Sequence, residues 1–490
     1  MSAMIATMMS VSPGIPPRPA IQTSPSSTSV PMKTIPGDYG WPLIGAIGDR
    51  LDYFWFQGAA KFYQKRMEKH QSTVFRTNVP PSFPFFTGVN PNVVAVLDCK
   101  SFSYLFDMEL VEKKNILVGD FMPSVDYTGG IRVCAYLDTD EDKHSKIKRF
   151  AMDILKRSSS IWVPTLSSKL DTMWDTIESS LSSSTSVSYL VPVQKFLFSF
   201  FCRSLAGADT SLSPDIDENG YIKLDLWLAL QTLPTVPIGL FQPLEEIFLH
   251  SWAYPAFLVS NGYNQVADFI EKEGAEVIQR AQTEFGLSTK EAIHNLVFMI
   301  GFNAYGGFSL FIPYLLGALG NEENKGVQER LRKEVRENIG SGLSFESVKK
   351  MDLVQSFVYE TMRLNPPVPT QYGRARKDFI LSSYESSFEV KKGELLCGYQ
   401  PLVMKDPNVF EEPDKFKADR FTGEKGRELL NYLFWSNGPQ TGSPSESNKQ
   451  CAGKDYVTLT GSLFLAYLFQ RYDSIGCDGS SITTLKKAGS

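Results

Sequence analysis

The sequence predicts a mainly α-helical protein with small β-sheets. Apolar residues recur at helical spacing over 326–340 and again over 352–364. An apolar run over 296–308 is typical of a helix buried at the centre of a large protein. Short alternating runs over 72–98 and 379–390 predict strands. Helical patterns therefore dominate the chain, and the strand patterns are short.

Composition places the chain among ordinary globular proteins. It has 490 residues, of which 42 % are hydrophobic and 21 % are charged, and a formal net charge of −5. This mild acidity argues against nucleic acid as a partner. The six cysteines form no C-x-x-C pair and the four histidines form no cluster, so neither a disulfide framework nor a zinc site is predicted. A reducing compartment fits this use of cysteine.

The first 35 residues differ from the rest of the chain. Residues 1–35 are rich in Ser, Thr, Pro and Met, and Arg18 and Lys33 are their only charged side chains. This composition predicts a plastid transit peptide, with a disordered tail as the alternative. The stretch contains no apolar segment of membrane-spanning length. We therefore expect residues 36–490 to form one folded domain, located in the chloroplast and either soluble or peripheral to a plastid membrane.

One cysteine stands out by its surroundings. Cys451 lies between the glycine-bearing stretch Phe434–Gly438 and a segment over 456–467 with apolar residues at helical spacing. A helix N-terminus favours a thiolate through its N–H groups and its dipole. Since a thiolate is the axial ligand of one class of haem proteins, Cys451 is a candidate ligand of a haem iron. The alternative is a buried structural cysteine.

The stretch around Cys451 resembles the cysteine loop of cytochrome P450s. Two departures are similar to one plant branch of that superfamily, the enzymes that act on fatty-acid hydroperoxides. The distance from Phe434 to Cys451 is longer than usual, and Lys449 replaces an arginine. The resemblance implies a cytochrome P450 fold and a single P450-type haem domain over 36–490. It also implies haem b as the cofactor, with its iron bound by the Cys451 thiolate.

A second motif lies further upstream. Glu360 and Arg363 are three residues apart on a predicted helix and share a face, and Arg420 follows later in the chain. On the surface such a pair would contribute little to stability. In P450s this Glu-x-x-Arg pair is buried and interacts with a later arginine. The resemblance therefore implies a structural role for all three residues.

Four basic residues are candidate ligands of the haem propionates. His144 and Lys148 are one helical turn apart, and Lys113 lies in a basic turn followed by apolar residues. The resemblance implies that these three and Lys449 bind the propionates, which are anionic. The alternative for His144 and Lys148 is a solvated charged helix face.

The apolar central run lacks the groups that oxygen activation requires. The window 301–307 contains Asn303 and three glycines but no Thr, Asp or Glu. An amide can orient a peroxide by hydrogen bonding but is a poor proton relay, and the glycines would admit a ligand close to the backbone. We therefore hypothesise that Asn303 binds a peroxide and takes part in its conversion, without O₂, NADPH or a reductase. The resemblance implies that this substrate is a polyunsaturated fatty acid hydroperoxide. The alternative for Asn303 is a polar group in a helix kink.

Two positions distinguish the activities within the branch. Where Leu117 stands, allene oxide synthases typically have Phe, whose ring can stabilise a developing cation. They also tend to carry Lys where Ser309 stands. Both differences favour a hemiacetal-forming lyase. The resemblance alone implies that its substrates are C18 13-hydroperoxides, which it cleaves into a C6 aldehyde and a C12 oxo-acid, and 9-hydroperoxides are the alternative. The resemblance places Leu117 and Ser309 at the substrate, and Leu117 in the catalytic pocket.

Several alternatives remain open on the sequence. Allene oxide synthase is the nearest, and a conventional monooxygenase or a non-catalytic haem sensor or carrier are others. Residues 296–316 could instead anchor the chain in a membrane. The apolar stretch Leu226–Leu240 could line a fatty-acid channel, contact a membrane surface peripherally or belong to the core. We expect Asp215–Gly220 to be a polar loop.

Overall fold

The computed structural model describes residues 30–80, 88–239, 242–340 and 342–489. Most of the predicted transit peptide, residues 1–29, lies outside this described part, as does the end of the predicted apolar stretch at Leu240. Helices dominate and the strands form small sheets, so the predicted fold class is confirmed. The helices are α1 (Ile44–Leu51), α2 (Ala59–His70), α3 (Cys99–Phe102), α4 (Asp142–Leu181), α5 (Leu190–Phe201), α6 (Pro214–Thr232), α7 (Glu245–Phe248), α8 (Ser260–Glu273), α9 (Ala275–Phe285), α10 (Thr289–Phe298), α11 (Gly307–Gly320), α12 (Lys325–Asn338), α13 (Phe345–Val348), α14 (Asp352–Leu364), α15 (Gln400–Val403), α16 (Gly423–Glu428) and α17 (Lys454–Arg471).

The strands are short and form three sheets in the described chain. They are β1 (Met32–Lys33), β2 (Val74–Asn78), β3 (Asn92–Val96), β4 (Val111–Glu112), β5 (Val187–Ser188), β6 (Thr370–Ala375), β7 (Phe379–Ser382), β8 (Ser387–Val390), β9 (Leu395–Tyr399), β10 (Tyr472–Asp478) and β11 (Ser481–Lys487). The largest sheet has the order β2-β3-β9-β6-β4, and the others are β1-β8-β7 and β10-β11-β5. The strands predicted over 72–98 and 379–390 are therefore confirmed.

The helix predicted at the centre is long and is built in three parts. The central helix, Thr289–Gly320, consists of α10, a π-helical stretch Met299–Gly306 and α11. It begins with the capping box that the sequence Ser288-Thr289-Lys290-Glu291 predicts, in which the side chain of Ser288 accepts from the Glu291 N–H. The central helix packs closely against α17: a Cβ on Gly461 of α17 would come within 2.8 Å of the Phe311 ring.

The central helix is long and apolar enough to cross a membrane, but the fold buries it. In its most apolar window 67 % of the residues are buried inside the protein. It contacts α5, α6, α14 and β10. Burial among other helices accounts for its composition, and a membrane anchor over 296–316 is not needed to explain it.

The predicted polar loop over Asp215–Gly220 is wrong. These residues form the first turns of α6, which begins at Pro214. Proline is favoured in the first turn of a helix, since its missing N–H would have no partner there. Asp215 and Asp217 lie at the positive end of the helix dipole, which stabilises their charge.

Pairing at the N-terminal end of the described chain starts before the predicted domain boundary at residue 36. Strand β1 pairs in parallel with β8, with Met32 opposite Ser387 and Lys33 opposite Phe388. The Ser387 N–H also donates to the Pro31 carbonyl at 2.9 Å. The division of the chain into a leader and one haem domain stays a prediction.

Candidate active site

Cys451 lies just before α17, in a loop fixed by backbone hydrogen bonds. Its N–H donates to the Ser436 carbonyl at 2.9 Å, and its carbonyl accepts from the Lys454 N–H at 3.1 Å. The Gly453 N–H donates to its sulfur. The helix begins at Lys454, so the predicted position near a helix N-terminus is confirmed to within three residues.

The electrostatics of the free thiol differ from the expectation. Burial raises the pKa of the Cys451 thiol, while Lys148 and the Gly453 N–H act in the opposite direction. The sequence predicted that the helix end would favour the thiolate, but for the free thiol desolvation outweighs the effects of Lys148 and the Gly453 N–H. A metal ion that coordinates the sulfur would deprotonate it, since a coordinated thiol loses its proton.

The extra residues between Phe434 and Cys451 fold as a loop closed by side chains. Gln450 donates from Nε2 to the Pro439 carbonyl at 2.7 Å, and Asn437 donates from Nδ2 to the Lys449 carbonyl at 2.8 Å. The Lys454 ammonium donates to the Gln440 carbonyl at 2.7 Å. The unusual spacing therefore leaves the backbone on both sides of Cys451 well ordered by hydrogen bonds.

Lys449, which replaces the usual arginine, crosses from the cysteine loop to the turn before α4. Its ammonium donates to the carbonyls of Cys134, Ala135 and Leu137 at 3.0, 3.2 and 2.7 Å. These carbonyls carry only partial charge, so the positive charge of Lys449 is solvated but not neutralised.

Lys113 and Lys148 approach the same loop from two other directions. Lys113 donates to Asn437 Oδ1, and Lys148 donates to the carbonyl of Gln450 and, at 3.4 Å, to that of Asn448. Both side chains are buried. The structure thus brings three of the predicted propionate ligands to the loop that carries the cysteine.

The ammonium groups of Lys113, Lys148 and Lys449 form no direct ion pair with a carboxylate in the described chain. Asp138 nevertheless acts on Lys113 and Lys449 from a distance. Burial and then the charge of Lys449 lower the pKa of Lys113 to about 7, and burial lowers the pKa of Lys449 to about 8, with Lys148 adding to the effect. A group bearing two carboxylates would reverse both effects. The site therefore fits a haem with its two propionates.

His144 differs from the three lysines. Its Nδ1 lies 3.2 Å from the Glu446 carbonyl, and the ring is buried. Burial, together with Lys449 and Lys148, lowers the pKa of His144 to about 4. With these neighbours the imidazole is neutral at pH 7, and it contacts the cysteine loop through the Glu446 carbonyl. A nearby propionate would raise this pKa, so the binding of a propionate by His144 stays a prediction.

Asn303 lies in the π-helical stretch, with its side chain exposed. It has no hydrogen-bond partner among residues 30–80, 88–239, 242–340 and 342–489. A π-helical turn inside an α-helix is frequent at functional sites. An accessible amide there is free to bind a ligand.

The glycines next to Asn303 have two different roles. A Cβ on Gly301 or Gly306 would come within 3.0 Å of Leu224 or 3.3 Å of Leu228, so these glycines admit α6 and not a ligand. A Cβ on Gly307 would meet no atom within 4 Å. The expectation that the glycines admit a ligand is therefore wrong for Gly301 and Gly306.

Leu117 and Ser309 occupy different environments. Leu117 is half-buried in a tight turn in which its N–H donates to the Phe121 carbonyl at 3.0 Å. Ser309 is buried, and its hydroxyl lies beside the phenol of Tyr305. The burial of Ser309, unlike the exposure of Asn303, favours a packing role, and its contact with the substrate stays a prediction.

The structure brings Glu360, Arg363 and Arg420 together in a buried ion-pair network. Glu360 accepts from Arg363 at 2.7 and 2.8 Å and from Arg420 Nε at 3.0 Å. The side chains are 0 %, 0 % and 4 % exposed. Nη1 of Arg363 donates to the backbone carbonyls of Met404 and Pro413. This network ties α14 to the segment that precedes the cysteine loop.

Sequence analysis missed two polar residues that support the lysines. Asn437 accepts from Lys113 and donates to the Lys449 carbonyl, in a backbone conformation with φ 61°. Asp138 accepts from the Lys113 N–H at 2.9 Å and forms an ion pair with Arg376. The Asn437–Gly438 dipeptide was a usable signal, because Asn tolerates a positive φ.

A cytochrome P450 family profile matches residues 55–487, which is most of the chain. The chain belongs to the cytochrome P450 family. Membership implies a haem bound through a cysteine thiolate, in agreement with the fit of the lysines and the cysteine loop. The predicted P450 fold is therefore confirmed.

The relatives divide into two groups. The chain is 66 % identical to the chloroplastic fatty acid hydroperoxide lyase of Solanum lycopersicum, over 95 % of this chain and 98 % of that protein. It is 57 % identical to the chloroplastic linolenate hydroperoxide lyase of Arabidopsis thaliana, over 99 % and 100 %. Identity falls to 40 % for the chloroplastic allene oxide synthase of Linum usitatissimum, over 96 % and 88 %. Within the P450 family, the chain is thus more similar to these lyases than to this synthase.

Solved P450 structures share the fold. Cytochrome P450 OleT, crystallised in complex with arachidonic acid, superposes with a TM-score of 0.65 over 94 % of this chain and 99 % of that one. The sequences are 15 % identical. This similarity agrees with the arrangement of helices and small sheets described above.

Proposed function

We propose that this P450 is a fatty acid hydroperoxide lyase, which cleaves C18 13-hydroperoxides into a C6 aldehyde and a C12 oxo-acid. The observation that carries the proposal is that a P450 cysteine loop occurs together with an unusual central helix. Residues 301–307 of that helix contain only two polar side chains, Asn303 and Tyr305. High identity to two hydroperoxide lyases supports the choice of lyase over allene oxide synthase.

In this proposal the chain holds haem b. Cys451 is the axial ligand of the iron, and Lys113, Lys148 and Lys449 neutralise the propionates. His144 supports the cysteine loop through the Glu446 carbonyl. When bound, the haem supplies cleavage of the O–O bond of the hydroperoxide.

Asn303 orients the substrate in this proposal. Its accessible amide donates to the hydroperoxide oxygens and so aligns the bond to be broken. An amide does not exchange protons readily at neutral pH, so the helix has no proton relay for molecular oxygen. We therefore propose that turnover requires neither O₂, NADPH nor a reductase.

The direct test uses the haem-loaded protein and 13-hydroperoxylinolenate in the absence of NADPH. We expect the conjugated-diene absorbance to fall, and mass spectrometry to identify the C6 aldehyde and the C12 oxo-acid. Ketols as the main products would indicate an allene oxide synthase instead. Haem binding without consumption of hydroperoxide would indicate a sensor or carrier, and consumption only with NADPH and O₂ would indicate a monooxygenase.

Leu117 supports the lyase assignment and can be tested separately. We expect Leu117→Phe to raise the ketol fraction of the products several-fold, because an aromatic ring stabilises a nearby cation by about 0.5–2 kcal/mol. Product ratios from 13-hydroperoxylinolenate measure the shift.

The control for this substitution adds the same ring elsewhere. Leu110 is also half-buried and lies seven residues earlier in the chain. Leu110→Phe should leave the product ratio unchanged. If Leu117→Phe gives the wild-type ratio, Leu117 has no part in selecting the product.

We further propose that the protein binds peripherally to a membrane, as suits a lipid-derived substrate. Two segments expose large apolar side chains: Trp41, Leu43, Ile44 and Phe56 on one, and Leu244, Ile247, Phe248 and Trp252 on the other. We call these side chains the apolar face. Clusters of exposed large apolar side chains often mark a surface that binds a partner or a membrane.

Buried polar contacts hold the two segments of the apolar face together. Trp55 donates from its indole to Glu246 at 2.7 Å, and Arg50 forms an ion pair with the same carboxylate. The rings of Phe54 and His250 lie 5.0 Å apart. The two segments are therefore joined at their base and present their apolar side chains as one surface.

A lipid surface fits this face better than another protein because of the charges beside it. Lys61, Lys65 and Lys69 are exposed at four-residue spacing along one side of α2, which contacts the segment containing Phe56. A row of lysines next to apolar side chains is suited to anionic lipid headgroups.

Sedimentation with vesicles tests the membrane proposal. We expect the protein to sediment with phosphatidylglycerol vesicles more than with phosphatidylcholine vesicles. Ile247→Ser combined with Phe248→Ser should weaken binding by about thirtyfold or more, since each buried apolar side chain contributes on the order of 1 kcal/mol or more. Leu212→Ser changes an exposed leucine outside the apolar face and should leave vesicle binding unchanged. Equal binding by all three proteins, or none by wild type, would contradict the proposal.

The cellular location is inferred from the relatives and from the composition of the first residues. The two lyases and the allene oxide synthase named above are all chloroplastic, and residues 1–29 have the composition of a plastid transit peptide. We propose that this protein is also imported into plastids.

A further inference from the structure

A buried polar cluster joins the central helix to two neighbouring helices. Tyr305 donates from its hydroxyl to Asp225 Oδ1 at 2.7 Å, and Gln194 donates from Nε2 to Asp225 Oδ2 at 2.7 Å. All three side chains are buried. They belong to the π-helical stretch, α6 and α5. Burying a carboxylate in an apolar interior is costly, so its presence calls for a role.

Tyr305 and Asn303 lie on the same π-helical stretch but point in different directions. Residues two apart on a helix do not share a face. Accordingly, Tyr305 is fully buried against α6 whereas Asn303 is exposed. The position of the stretch relative to α6 consequently determines where the Asn303 amide points.

Apart from the Tyr221 carbonyl, which lies 3.4 Å from the same Tyr305 hydroxyl, the other described contacts of this stretch with α6 are mainly apolar. Gly301 lies against Leu224, and Gly306 lies against Leu228. Such contacts are non-directional, so they bring the helices close together without fixing their register. A hydrogen bond to a carboxylate is directional and is stronger than one between neutral groups. The hydrogen bond from Tyr305 is thus the contact best suited to fix the stretch.

We propose that Tyr305 is a positioning residue, whose hydrogen bond to Asp225 holds the π-helical stretch so that the Asn303 amide faces the hydroperoxide. This inference rests on the proposed function of Asn303. It goes beyond that function by assigning the orientation of the amide to a buried group that does not touch the substrate.

The test compares two tyrosines with the same chemistry. Tyr472 is fully buried and donates to Glu178 Oε1 at 2.6 Å, so Tyr472→Phe also removes a hydrogen bond from a phenol to a carboxylate. We expect similar losses of stability in haem-loaded Tyr305→Phe and Tyr472→Phe. Only Tyr305→Phe should lower kcat/KM for 13-hydroperoxylinolenate, by about tenfold, the loss expected when one hydrogen bond is removed.

A second measurement does not depend on activity. Hydrogen–deuterium exchange of the backbone amides over 299–306 should be faster in Tyr305→Phe than in wild type or Tyr472→Phe. Asp225→Asn keeps an oxygen acceptor for Tyr305 but sets an amide nitrogen against Gln194, so its exchange and kcat/KM should be intermediate.

The outcomes separate this inference from the proposed function. If Tyr305→Phe matches Tyr472→Phe in kcat/KM and in exchange over 299–306, the positioning role is overturned. The same conclusion holds if Tyr305→Phe fails to fold while Asp225→Asn matches wild type in both measurements. If wild type consumes no hydroperoxide, the proposed function fails, and unchanged exchange in Tyr305→Phe would independently refute the control of register.

Discussion

Cys451→Ala is expected to abolish hydroperoxide cleavage. The alanine has no ligand for the iron, so the protein should lose the absorption spectrum of a thiolate-bound haem. Activity should fall by about a thousandfold or more, comparable to the removal of an essential catalytic group. Absorption spectroscopy and the diene assay on the haem-reconstituted variant measure both effects.

Cys477 provides the control for this substitution. It is also partly exposed and lies in β10, outside the cysteine loop. Cys477→Ala should keep the spectrum and the activity of wild type. An unaltered spectrum in Cys451→Ala would contradict haem ligation by this cysteine and, with it, the proposed function.

Glu360→Gln is expected to cause the largest loss of stability. The substitution keeps the size of the side chain but removes the charge that neutralises Arg363 and Arg420, both of which are buried. Leaving buried charges unpaired costs about 3–5 kcal/mol. The urea concentration at the midpoint of unfolding, followed by circular dichroism, should fall accordingly.

An exposed ion pair supplies the comparison. Glu346 contacts Lys349 at 2.9 Å three residues away, and the side chains are 78 % and 52 % exposed. Glu346→Gln should change stability by less than about 1 kcal/mol, because surface ion pairs contribute little. Equal effects of Glu346→Gln and Glu360→Gln would show that the buried network does not stabilise the fold.

Local sequence patterns predicted the parts of the fold that depend on local periodicity. The helix Asp352–Leu364 has the predicted bounds, and the capping box at Ser288 starts the central helix. The Glu360 network also follows from short motifs, because a buried charge requires a partner and the chain supplies one at Arg420. The prediction of a loop over Asp215–Gly220 was wrong because it gave the polar composition more weight than Pro214, which signals the start of a helix.

Properties that depend on burial were not predictable from the sequence. Whether Gly301 faces a ligand or α6 depends on the rotation of the central helix, which the apolar run does not specify. The pKa of His144 falls to about 4 because the fold buries it beside two lysines. The pKa of Cys451 rises because desolvation outweighs the effects of Lys148 and the Gly453 N–H. These effects arise from contacts between segments that are distant in the chain.

Strand β1 sets a limit on proteolytic maturation. If a stromal protease removed the leader after residue 35, the cut would take Met32 and Lys33 with it and leave β8 without its neighbour on that side. An unpaired strand edge is a template for aggregation. The mature polypeptide of an imported enzyme is therefore expected to begin upstream of Pro31, with the strand retained.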